Sequence, residues 1–133
     1  MPHHDGYRLW LYNCTCRLLS ESSHAALIYH LRKTMHYLLI YDVVPDYVER
    51  RAAFRSQHLA LAWQAVERGE LILGGALAEP VDSAILLFHA DSPAVIEKFV
   101  AADPYVQNGL VARWHIRPWL TVVGESAANP VRV

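Results

Sequence analysis

Residues 70–90 read ELILGGALAEPVDSAILLFHA, and what this stretch forms decides the fold. ELILGGALA predicts a strand, EPVDS a turn, and AILLFHA a second strand, so the stretch is an antiparallel hairpin. Gly74 and Gly75 inside a strand imply a bulge, or a point where something packs close to the backbone. The hairpin then needs partners, and the flanking sequence supplies them.

Upstream, the spacing from Asp46 to about Arg68 is helical. Asp46 is the expected N-cap, with Glu49 completing an aspartate form of the capping box. Val48, Ala52, Leu59, Ala62 and Val66 fall on one stripe, and Gly69 ends the helix. Before it, HYLLIYDVV is β-branched and aromatic, bounded by Pro45, and predicts a strand buried on both faces. Downstream, Ser92 is the expected cap of a helix with Pro93 in its first position. That helix, AVIEKFVAA, would bury Val95, Ile96, Phe99 and Val100. After an Asp-Pro turn, ARWHIRPWLTVV predicts a last strand, in which Pro118 demands an edge or a bulge.

The order is strand, helix, strand, strand, helix, strand. Right-handed crossovers make this the ferredoxin-like βαββαβ arrangement, an α+β fold. It has a four-stranded antiparallel sheet with two helices on one face. The other face would lie bare. Tyr37, Leu39, Tyr41, Trp114, Ile116 and Trp119 leave too few polar residues for two wet sides, which predicts a homodimer packed sheet face to sheet face.

At 133 residues, 53% hydrophobic and 19% charged, the chain can cover one compact core. A net charge of −1 leaves no footprint for nucleic acid or an anionic membrane. No apolar run nears the roughly 20 residues that span a bilayer. Character changes near Met35. Residues 1–34 form a leader with Arg8, Arg17, Arg32 and Lys33 against Asp5 and Glu21. It follows neither a signal-peptide nor a transit-peptide plan and is expected to be dispensable. HAALIYHLRK within it could form a short helix. The domain proper is expected over 35–124, and residues 125–133 form a polar, flexible tail. Cys14 and Cys16, one residue apart, offer no disulfide framework, which fits a reducing cytoplasm. Their spacing is not that of a structural zinc site either.

Among residues that could do chemistry, His58 stands out. It lies one position off the apolar stripe, on a flank shared with Phe54, Leu61 and Ala65, where a side chain reaches the groove between helix and sheet. It reads either as a core-edge histidine bonded to backbone or as a general base. Asp103 reads either as an Asx-turn residue before Pro104 or as a carboxylate aimed into a pocket. Topology links the two, since a loop leaving the second helix returns beside the first. A carboxylate on one ring nitrogen fixes the tautomer and makes the other a better base. Arg50, Arg51 and Arg55 form a solvated helix face, from which one, Arg55, could bind a substrate carboxylate. Tyr105 and Ser83 are candidate hydrogen-bond donors to a ligand. His36 is expected to be exposed or at the dimer seam. His89 and His115 lie on strands without metal-ligand spacing, and no phosphate loop, dinucleotide motif or Ser-His-Asp order occurs.

Three stretches, MHYLLIYDVV, HLALAWQAVERGELILGGAL and ADPYVQNGLVARWHIRPW, together resemble the YciI-like, or YCII-related, domain family over residues 35–124. The resemblance rests on the helix histidine, the paired glycine and the Asp-Pro-aromatic turn before Gly-Leu. It implies a dimeric α+β barrel with a cleft in each subunit and a His–Asp pair, here His58 and Asp103. Some relatives are linked to aromatic or dehalogenating catabolism without metal or organic cofactor. The expectation is therefore a small cofactor-independent enzyme, of hydrolase or lyase type, acting on a small anionic or aromatic metabolite. Tyr105, Gly74 and Gly75 would line its pocket. The alternative is a non-catalytic ligand-binding or regulatory module of the same fold.

Overall fold

The computed structural model describes residues 34–133. The readings of Cys14, Cys16, the HAALIYHLRK helix and the leader's dispensability lie outside the described residues. Within them the elements are β1 (Met35–Val43), α1 (Tyr47–Arg51), α2 (Arg55–Glu67), β2 (Leu71–Ala76), β3 (Ser83–Ala90), α3 (Ala94–Ala102), α4 (Pro104–Gln107) and β4 (Val111–Trp119). The four strands form one antiparallel sheet in the order β2-β3-β1-β4. This is the ferredoxin-like α+β arrangement expected from the hairpin, with two short helices added.

Register explains which side chains reach the core. Tyr37, Leu39 and Tyr41 of β1 lie opposite Phe88, Leu86 and Ala84 of β3, and all six are buried. They pack with Ala65 of α2 and with Ile96, Phe99 and Val100 of α3, so both long helices cover the same sheet face. Phe88 and Phe99 meet edge to face at 5.3 Å, and truncating either ring would cost about 3–5 kcal/mol. The alternate residues, Leu38 and Ile40 opposite Leu87 and Ile85, point to the other face and are half-buried. Hence β1 is not buried equally on both faces, as its composition implies. Its alternation is hidden because both sets are apolar.

The helix expected over 46–68 is broken. Residues 52–54 form a turn between α1 and α2. Val48, Ala52 and Leu59 of the expected stripe are exposed, whereas Ala62 and Val66 pack against the core as expected. Phe54, His58, Leu61 and Ala65 also face inward. Asp46 makes no capping bond; its carboxylate lies 3.9 Å from Arg50. Likewise Pro93, not Ser92, occupies the cap position of α3. The strand irregularity falls at Ile72 and not at the paired glycines, and Pro118 lies on edge strand β4 opposite Tyr37.

Among the described residues three glycines have positive φ, Gly69, Gly109 and Gly124, and the first two end helices. Gly69 (φ 74°) ends α2 and Gly109 (φ 75°) ends α4. At each, the following residue donates back into the last helical turn: Glu70 N–H to Ala65 and Leu110 N–H to Tyr105. This seats Leu110, fully buried, and launches β4. Beyond β4 the chain folds back, with the N–H groups of Asn129 and Val131 donating to the carbonyls of Thr121 and Val122.

His36 is buried, with Nδ1 2.6 Å from the Thr121 hydroxyl and its ring edge-on to His89 at 5.5 Å. It is therefore not the exposed strand-start residue its position implies. Among the described residues, no helix is long and apolar enough to cross a membrane.

Candidate functional site

Asp103 is where two helices meet. It ends α3 and caps α4, with extended backbone (φ −73°, ψ 118°). Pro104 disfavours the helical region for the residue before it, so α3 must stop here. The extended turn swings the carboxylate back under the helices. Its Oδ1 accepts the backbone N–H of Tyr105 at 3.0 Å and lies 2.8 Å from Nδ1 of His58. Its Oδ2 accepts the Tyr41 hydroxyl at 2.8 Å. Asp103 is fully buried and the His58 side chain 14% exposed. The two readings of Asp103, helix cap and carboxylate partner of His58, thus describe one side chain doing both.

The donor count sets the tautomer. A carboxylate only accepts, and the amide and phenol both donate, so His58 donates from Nδ1 and keeps an unprotonated Nε2 when neutral. Burial above all, then the negative charge of Asp103 and the bond to it, push the Tyr41 phenol far above its ordinary range. Tyr41 is therefore a lasting donor. Its ring holds the carboxylate from the sheet side, while α2 and α4 hold it from the helix side.

The imidazole stacks on Tyr105, 3.9 Å between centroids and 11° between planes. Tyr47 meets Tyr105 edge to face at 5.6 Å, and the Arg51 guanidinium lies 5.5 Å from the Tyr47 ring centre. Burial first, then Tyr47, push the Tyr105 phenol up to about 12, with Arg55 and Arg51 pulling the other way.

This cluster opens on a cavity of about 370 Å³ between α2 and β2, within the size range of small-molecule sites. His58, Tyr41, Tyr47, Tyr105, Arg51 and Arg55 line it, and Ala62, Val66, Leu71 and Leu86 complete an apolar wall. Trp63, Ile72 and Leu73 also line it and are exposed. Gly74 and Gly75 contribute to the β2 side. A Cβ on Gly74 would sit 3.1 Å from Cγ of Leu86, whereas one on Gly75 would meet nothing within 4 Å.

Of the residues singled out in the sequence, His58, Asp103, Tyr105, Gly74, Gly75 and Arg55 come together here. Ser83 does not: its hydroxyl donates to the Tyr41 carbonyl at 2.9 Å. The histidines 36, 89 and 115 lie elsewhere on the sheet. Sequence reasoning misses Tyr41, Tyr47, Arg51 and Trp63. Tyr41 reads as core, and only its partner 62 positions away reveals a role for the hydroxyl. Arg51 reads as solvated because the helix break is not visible. Among the described residues, no three His, Cys, Asp or Glu side chains are grouped to hold a metal ion.

The family model for the YCII-related domain matches residues 35–120. No curated protein sequence matches the chain. Solved structures of similar fold include 5-chloro-2-hydroxyhydroquinone dehydrochlorinase from Burkholderia phenoliruptrix AC1100, in complex with 2,5-dihydroxybenzoquinone. It is 21% identical, with TM-score 0.57 over 65% of this chain and 95% of that one. A protein described as an antibiotic biosynthesis monooxygenase, from Bacteriodes thetaiotaomicron VPI-5482, has TM-score 0.48 and 17% identity over 70% and 93% of the two chains. An uncharacterized NIPSNAP-like domain protein from Burkholderia xenovorans has TM-score 0.46 and 19% identity over 77% and 97%. The dehydrochlorinase shares the fold.

Proposed function

We propose that this chain, which belongs to the YCII-related domain family, is a small enzyme that works without a cofactor. His58 serves as general base and acid, oriented by Asp103, on a small anionic or aromatic metabolite. The observation that carries the reading is the 2.8 Å contact of His58 Nδ1 with a fully buried carboxylate at the wall of a cavity. A merely structural histidine has no need of a buried, threefold-bonded partner beside open space.

In the proposed step, Nε2 takes a proton from the substrate and the electron pair of the broken bond stays on the substrate. The imidazolium is stabilised by Asp103, which keeps its own charge. His58 then returns the proton to the departing group, the pattern of a lyase; in the hydrolase form the proton comes instead from a water whose oxygen bonds to the substrate as the leaving group departs. Tyr105, Arg55 and the backbone at Gly74 and Gly75 contact the substrate. General acid–base transfer of this kind contributes about 10²–10⁴ in rate.

The same proposal includes a second copy of the chain. Leu38, Ile40, Ile85 and Leu87 lie on the sheet face the helices do not cover, and a paired sheet would bury them. We assign the protein to the cytoplasm, since its two cysteines offer no disulfide framework.

A thermal-shift screen of the full chain against metabolite pools, followed by turnover assays on the hits, tests the reading. His58→Ala is expected to lose about 10²–10⁴ in turnover while staying folded, with a lowered melting temperature because buried Asp103 loses one of its donors. Undiminished turnover in that variant overturns the acid–base role. Stabilising hits that are never turned over favour a ligand-binding module instead.

A further inference from the structure

Arg51 ends α1 and Arg55 begins α2, so the turn at 52–54 carries both guanidiniums to one wall of the cavity. Other arginines nearby are engaged. Arg50 donates to the Asn108 carbonyl and sits beside Asp46, Arg68 pairs with Glu70, and Arg113 with Asp42. Arg51 and Arg55 have no carboxylate within ion-pair distance among the described residues. On an open helix face such arginines would simply be solvated. Here they border a concave apolar wall, where a guanidinium pair is matched by a planar anionic group.

Both arginines line the same cavity as His58. Both guanidiniums act electrostatically on the Tyr105 phenol, whose ring lies flat against the imidazole. Positive potential therefore falls in the part of the cavity that His58 shares. Away from it the cavity turns apolar along Ala62, Val66, Leu71 and Leu86. Its aromatic members, Tyr41, Tyr47, Trp63 and Tyr105, favour a flat ligand body. The volume of about 370 Å³ is more than twice the roughly 150 Å³ that holds benzene in a dry cavity, which leaves room for ring substituents.

We propose that Arg51 and Arg55 form an anion-binding pair, and that the cavity takes a single aromatic ring bearing an ionised oxygen group, carboxylate or phenolate, held next to His58. This rests on the reading of the cavity as the substrate site. It adds that the substrate is anionic and aromatic at once. It also adds that charge left on the ring system when His58 takes a proton faces two guanidiniums, which stabilise it as it develops.

The test is calorimetric titration of the full chain with benzoate, benzamide and hexanoate, using wild type, Arg51→Gln, Arg55→Gln and the double variant. Neither arginine makes a hydrogen bond among the described side chains, so Arg55→Gln is expected to melt with wild type and the variants lacking Arg51 only slightly below it, for the lost contact with the Tyr47 ring. Wild type is expected to bind benzoate about tenfold or more tighter than benzamide. Each single variant should narrow that preference and the double variant abolish it, with hexanoate weaker than benzoate throughout. Benzoate no tighter than benzamide, or undetectable, overturns the proposal, as does a preference that survives the double substitution. Hexanoate equal to benzoate overturns its aromatic half. The benzoate preference is expected to persist in His58→Ala. Failure of the acid–base role would then show in turnover alone, and failure of the anion site in binding alone.

Discussion

The imidazole of His58 lies flat on the phenol of Tyr105 at 3.9 Å, while the backbone N–H of Tyr105 and Nδ1 of His58 converge on one oxygen of Asp103. One residue thus fixes the histidine twice: Tyr105 limits its ring plane directly, and its amide holds the carboxylate that fixes its rotation. The Tyr41 hydroxyl on the second oxygen leaves the carboxylate no alternative orientation.

Removing that carboxylate exposes how much depends on it. Asp103→Ala strips the acceptor from three donors in a fully buried setting, a loss of about 3 kcal/mol or more. Urea denaturation should register it; wild-type stability would mean the three bonds do not form. Asp103→Asn keeps the volume but offers one acceptor atom in place of two. Turnover should fall by about 10²–10⁴, more steeply than stability does.

Alkali should unfold the protein through its buried tyrosines. Tyr105 is pushed up to about 12 from 10.0, and Tyr41 is raised as well. The folded state therefore binds more protons than the unfolded one above pH 10. The stability these phenols confer is complete below about pH 10 and drains away as pH rises toward 12 and beyond, by about 1.4 kcal/mol per unit for Tyr105. Denaturation midpoints across this range should fall less steeply in Tyr105→Phe than in wild type.

The two adjacent glycines should behave differently. Gly74→Ala brings a methyl to 3.1 Å from Leu86, costing about 1 kcal/mol, and a larger side chain there should also reduce ligand binding. Gly75→Ala meets nothing within 4 Å and should lie within about 0.5 kcal/mol of wild type. Thermal denaturation of the two variants side by side distinguishes them, and equal effects would contradict the packing described.

Acid acts at a separate place. Burial, then the neighbouring His89, lower the pKa of His36 from 6.5, so the folded state prefers the neutral ring. Between that lowered value and 6.5 the unfolded state binds more protons, so stability is complete above 6.5 and lost as pH falls below it. Stability measured near pH 7.5 and pH 5 should differ more in wild type than in His36→Gln.

Much of this was open to reading from the chain. The hairpin shows because its turn breaks two apolar runs, and the pairing of His58 with Asp103 follows from topology, since α3 returns its C-terminal end beside α2. The break at 52–54 does not show, because Ala-Ala-Phe contains neither Gly nor Pro and alanine is the best helix former. Counting the helical period through that break puts Val48 and Ala52 on one stripe with Ala62 and Val66, although only the latter two pack against the core, and leaves Arg51 among the solvated residues. The Tyr41 hydroxyl stays hidden for a different cause: strand alternation places its ring in the core, but the contact that gives the oxygen a task joins distant segments.

Because a single oxygen of Asp103 serves both the amide of Tyr105 and the ring of His58, the site carries its own gauge. A local opening that draws the carboxylate away frees that amide to exchange with solvent and releases the imidazole together. Exchange protection at one backbone position therefore measures, without substrate, the fraction of time in which the histidine is held ready.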